Sequence, residues 1–130
     1  MEKLFVNKGF TLIEMIFVLL IMSILSLTLI LKNYDESILK WNMNKMKSYL
    51  LCQKREALLL KENKDIVIKN NSIWNGQSMI YLHPKIVCDN YEFKINERGN
   101  VNKGGSIVCS YGTHERSLIN TLGNGNFNVK

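Results

Sequence analysis

The sequence predicts an α+β fold: a long N-terminal helix, membrane-spanning in its first half and amphipathic in its second, packed on a small antiparallel β-sheet domain. Three observations point there. From Phe10 to Leu31 a single charge, Glu14, interrupts an otherwise apolar run. From Leu39 onward apolar residues recur at spacings of four and three, the period of one helical face. After Asn63 the period falls to two, with Asn- and Gly-rich turns between the runs.

The chain's 130 residues exclude a large multidomain enzyme. Apolar residues throughout and only one proline, Pro84, argue against disorder. Three cysteines are too few for a disulfide-dense mini-protein. The net charge of +6 is spread evenly, with seven Lys/Arg against four Asp/Glu over residues 32–63 and eight against five over 64–130. No block of five or more cations appears, so a solvated mixed-charge surface is the expectation.

The apolar run of 22 residues would span about 33 Å as a helix, the thickness of a bilayer's hydrocarbon core. It is too long for the apolar part of a removable secretory signal. Lys3 and Lys8 precede it while Lys32, Lys40, Lys45 and Lys47 follow it, so positive charge alone does not orient it. Ser23, Ser26 and Thr28 are its polar interruptions, and each is able to bond back to a helix carbonyl.

Beyond the span, Leu39, Met43, Met46, Leu50, Ala57 and Leu60 form one stripe in which Gln53 is the polar occupant. Asn63 is the expected left-handed cap. The helix from Phe10 to about Glu62 would then run about 80 Å. Six strands follow, over residues 65–69, 78–82, 91–96, 106–110, 116–121 and 126–130. Their tight turns predict an antiparallel meander.

Glu14 is the anomaly, because a carboxylate inside a membrane helix is costly unless paired, protonated or near the interface. Its context accounts for it. Lys8-Gly9-Phe10-Thr11-Leu12-Ile13-Glu14, after a short charged leader and before an unbroken apolar helix, resembles the processing motif of type IV prepilins and pseudopilins. The resemblance implies cleavage by a prepilin peptidase on the cytoplasmic side after Gly9, and N-methylation of the new terminus, Phe10. It also implies that Glu14 pairs with the terminal amine of a neighbouring subunit during assembly. Residues 1–9 would then be a cytoplasmic leader, 10–31 the spanning and filament-core helix, 32–62 the amphipathic helix, and 63–130 an extracytoplasmic β domain.

One departure narrows the family. Major pilins often break this helix with glycine or proline, and neither occurs between Phe10 and Leu60. The layout Phe93-x-Ile95, Gly99, Gly104-Gly105-Ser106-Ile107-Val108 and Arg116–Thr121 resembles the C-terminal half of minor pseudopilins of secretion and competence systems. The implied function is a structural subunit of a pilus-like filament, first in the cytoplasmic membrane and then in a surface or periplasmic filament. Its partners would be other pilins, the peptidase, an assembly platform protein and the membrane.

No catalytic motif is present: there is no G-x-S-x-G, phosphate loop or H-E-x-x-H, and neither a cofactor nor a metal is expected. His83 and His114 both read as exposed loop residues, and with Cys88 and Cys109 they lack the close C-x2–4-C knuckle of structural zinc. Cys88 and Cys109 either bridge, closing a loop of about 20 residues, or stay reduced, while Cys52 is expected buried and free. A rival function, capture of DNA, would need Arg98, Lys103 and Arg116 to converge into a basic patch.

Overall fold

A computed structural model describes residues 11–130 apart from Asn33. The chain divides into two compact units, Met1–Tyr34 and Asp35–Lys130. The described part of the first is α1, Leu12–Lys32. Every side chain described in it is exposed, and Leu12–Ile30 is long and apolar enough to cross a membrane. Ser23, Ser26 and Thr28 donate to the carbonyls of Leu20, Met22 and Leu25 at 2.7–2.8 Å, so no hydroxyl in this apolar stretch is left unbonded.

The sequence expects one helix across this stretch, and the described residues give it as two helical stretches on either side of Asn33. The second, α2, covers Tyr34–Leu60. Its cap also differs, because Lys61, not Asn63, takes the positive φ of 56°. Leu60, placed at the end of the buried stripe by its spacing, is exposed there.

Seven strands follow: β1 Lys64–Asn70, β2 Ser72–Trp74, β3 Met79–Tyr81, β4 Val87–Ile95, β5 Gly105–Tyr111, β6 His114–Asn120 and β7 Phe127–Val129. They form one antiparallel sheet in the order β3-β2-β1-β4-β5-β6-β7. This corrects the simple meander. Two meanders share the β1–β4 seam, because the chain returns across the sheet end between Leu82 and Ile86 rather than turning tightly. Leu82 and Ile86 are both buried, and Ile86 N–H closes the return on the His83 carbonyl at 2.9 Å.

One face of α2 packs on one face of this sheet. Leu39, Met43, Met46, Leu50 and Ala57 join Ile66, Ile68, Ile73, Phe93, Ile95, Ile107, Leu118 and Phe127 in a single apolar cluster. Burying one such Leu, Ile or Phe contributes about 1.5–3 kcal/mol. Of the buried polar residues, Gln53, Asn75 and Asn42 are hydrogen-bonded through their side-chain oxygens, whereas Asn120 Oδ1 has no partner among the described residues. Gln53 Oε1 accepts from Asn75 Nδ2 at 2.7 Å, and Asn75 Oδ1 in turn accepts from Ser78 N–H at 2.6 Å, fixing the β2–β3 turn. Asn42 Oδ1 accepts from His83 N–H at 2.9 Å. At the far end Gly99 takes φ +72° with Leu58 Cγ 3.1 Å from where a Cβ would stand, so a side chain there would be strained as well as crowded.

The thinnest seam of the sheet lies inside the second meander, between β4 and β5, not at the β1–β4 boundary. β4 and β5 pair only through Val87↔Ser110 and Cys88↔Cys109, whereas β5 and β6 pair over seven positions. Val101 fills the gap beyond, bridging Ile95 and Gly123. Cys88 and Cys109 are joined by a disulfide at this seam, 21 residues apart in sequence. Cys52, by contrast, is exposed rather than buried, because it lies on the side of α2 turned away from the sheet. Reducing the disulfide, or the pair Cys88→Ser/Cys109→Ser, should destabilise the domain by about 3 kcal/mol. Thermal unfolding of the full chain in detergent, with and without reductant, checks this. An unchanged midpoint would mean that the seam holds without the bond.

Candidate functional site

The N-terminal capping box and the cationic residues

Gly9 and Phe10 lie outside the described residues. The description begins at Thr11, which caps α1. Glu14 N–H donates to Thr11 Oγ1 at 3.3 Å, while Thr11 N–H and Oγ1 donate to Glu14 Oε2 at 2.8 and 2.9 Å. That is a reciprocal capping box, T-x-x-E, in which two otherwise unpaired donors at the helix start meet one carboxylate. A negative group in the first turn is also favoured by the helix dipole. Glu14 is therefore bonded within its own chain, one turn from the residue that the motif would expose as a new terminus.

The cations read as a DNA patch do not come together. Arg116 forms an ion pair with Glu36 near the start of α2, its Nη2 2.7 Å from Oε1. Arg98 is exposed in the turn after β4, next to Gly99 and the end of α2. The length of β4 alone, from Cys88 near Arg116 to Ile95 near Arg98, separates them by about 23 Å. Lys103 Nζ stands 4.7 Å over the Tyr91 ring, whose hydroxyl is pushed above its usual pKa by burial. Three cations so dispersed offer no shared phosphate track. Duplex DNA should accordingly bind the full chain weakly at physiological salt, and Arg98→Ala/Lys103→Ala/Arg116→Ala should leave the affinity unchanged within about twofold. A filter-binding titration over a salt series checks this.

His83 lies in a loop as expected but is half-buried, and His114 is half-buried in a strand rather than exposed in a loop. The His83 ring is 5.2 Å from that of Tyr111, and His114 opens β6 opposite Tyr111. Cys88 and Cys109, paired with each other, are not available as thiolate ligands.

Residues 5–30 match the family model of the prokaryotic N-terminal methylation motif. The match spans the Gly9–Phe10 junction, Glu14 and nearly all of α1, and it supports a type IV pilin-like precursor. No curated protein and no solved structure matches the chain significantly. A motif of this kind is the signature of structural subunits that assemble with other pilins after processing by a prepilin peptidase, and here it covers residues 5–30 of 130. The apolar helix that follows fits membrane anchoring of a pilin.

Proposed function

We propose that this chain is a minor pseudopilin, a structural subunit of a type IV pilus-like filament serving DNA uptake or protein secretion. The observation that carries the reading is the methylation motif at residues 5–30 running without interruption into α1. Peptidase cleavage after Gly9 frees the amine of Phe10, which is then methylated, and residues from Asp35 onward lie outside the cytoplasmic membrane. Assembly moves α1 from lipid into a bundle of like helices, exchanging lipid contacts for helix–helix packing. Glu14 exchanges its bonds to Thr11 for a neighbour's terminal amine, so that two charges costly singly in an apolar core are placed together. Such a pair sets the axial register of one helix against the next. The absence of glycine and proline from Phe10 to Leu60 favours a minor subunit over a major pilin. The test is to look for the processed chain among sheared filaments of its own host. It should be there, and should vanish when the assembly ATPase is deleted; presence only in membranes of an assembling strain would contradict the proposal.

A further inference from the structure

Among the described residues of Asp35–Lys130, nothing packs over Trp41, Leu51 and Leu59 on the side of α2 turned away from the sheet, and all three are exposed. From Ser37 to Arg55 there are five cations and no acidic residue. Lys54 is engaged with the Asn124 carbonyl at 2.6 Å and Lys45 with the Tyr81 carbonyl at 2.7 Å, but those bonds leave both charges unneutralised. Among the described residues, Lys40, Lys47 and Arg55 have no acidic partner, since the ion pairs are Lys64–Glu62, Lys94–Asp65 and Arg116–Glu36. At about 100° per residue these three cations and Trp41 fall within an arc of about 120° opposite the buried stripe. Trp41 is 65% exposed, with Lys45 Nζ 5.8 Å over its ring, and Leu51 and Leu59 are exposed on the same side.

We infer that this outward side of α2 rests on anionic phospholipid headgroups before the subunit is assembled. The inference depends on the reading of α1 as a membrane span. Charge complementarity supplies the first argument: between Glu36, which is paired with Arg116, and Glu56 the helix's only charges are cations, and such a surface suits a negatively charged leaflet. The tether supplies the second. Tyr34 begins α2 only four residues after Ile30, the end of the span, so the chain keeps the start of α2, with Lys40 and Trp41 within two turns of it, close to the headgroup plane. The composition supplies the third, since indole and leucine side chains interleaved with Lys and Arg fit the headgroup–acyl boundary. A phosphate backbone in solution would leave Leu51 and Leu59 against water.

Tryptophan quenching tests this in the full chain, reconstituted in vesicles of phosphatidylglycerol and phosphatidylcholine brominated at shallow acyl positions. Trp74→Phe leaves Trp41 as the reporter. Trp41→Phe leaves Trp74, which lies on β2 beside the buried Ile73 and so on the opposite face of the sheet from α2. Trp41 emission should fall about twofold while that of Trp74 changes little. The drop should shrink to the Trp74 level in phosphatidylcholine alone and in Lys40→Gln/Lys47→Gln/Arg55→Gln. Carbonate extraction reports insertion of α1 separately. A chain that washes out refutes the spanning reading and this inference with it. A chain that stays inserted with Trp41 no more quenched than Trp74, or equally quenched without anionic lipid, refutes the inference alone. Loss of duplex DNA binding in the triple variant with Trp41 quenching intact would reassign the surface to nucleic acid.

Discussion

Glu14→Gln should leave a stable, processed, membrane-resident subunit that does not enter filaments. The capping box makes this substitution informative, because glutamine at the third helical position still reaches back to the cap. The start of α1, held by the bonds between Thr11 and Glu14, should therefore persist. What disappears is the negative charge, and with it any attraction to a neighbour's methylated amine at Phe10. In the membrane the change relieves a desolvation cost, so the amount of subunit should not fall. The measurement is the ratio of filament-associated to membrane-associated chain, by shearing or by cross-linking to other pilins. The proposal requires a loss of tenfold or more, equivalent to at least about 1.4 kcal/mol of lost pairing. Assembly at the native level would mean that Glu14 serves only as the cap of its own helix.

Gly9→Val should block processing outright. The residue before the cut must let a protease reach the backbone at the start of a helix, and a β-branched side chain both obstructs that approach and stiffens the chain. The unprocessed precursor should keep its leader and accumulate in the membrane with its domain folded, because Asp35–Lys130 is a compact unit with its own core. Mobility on a denaturing gel and the resistance of the domain to protease separate a processing defect from misfolding. Normal cleavage of this variant would contradict the assignment of the junction.

How much of this was legible in the sequence depended on the distance over which each signal acts. Local periodicity placed α1, the buried stripe of α2 and six of the seven strands. It missed β2, because Ser72–Trp74 is too short between Asn-Asn and Asn-Gly for an alternation to register. It began β4 late, since Asp89-Asn90 is a poor strand dipeptide and lies where the β1–β4 register shifts, between the pairs Ile68↔Tyr91 and Asn70↔Cys88. Gln53 stood out as a polar residue in an apolar stripe, but its partner Asn75 is 22 positions away and only the fold brings them together. The same limit explains Arg98 and Arg116, which are close enough in sequence to suggest a patch and yet lie at opposite ends of the domain. The capping box was legible, since Thr11-x-x-Glu14 has its spacing. The resemblance points to a role for this carboxylate between subunits, whereas its bonds to Thr11 lie within the chain.

The central claim is that this is a prepilin whose N-terminus is cut and methylated. Intact and N-terminal peptide masses after co-expression with a prepilin peptidase test it most directly. The expected result is loss of Met1–Gly9 and a chain beginning at Phe10 with one added methyl group, dependent on an active peptidase. A chain that keeps Met1 with the peptidase present, or one cut beyond Leu31, would contradict it.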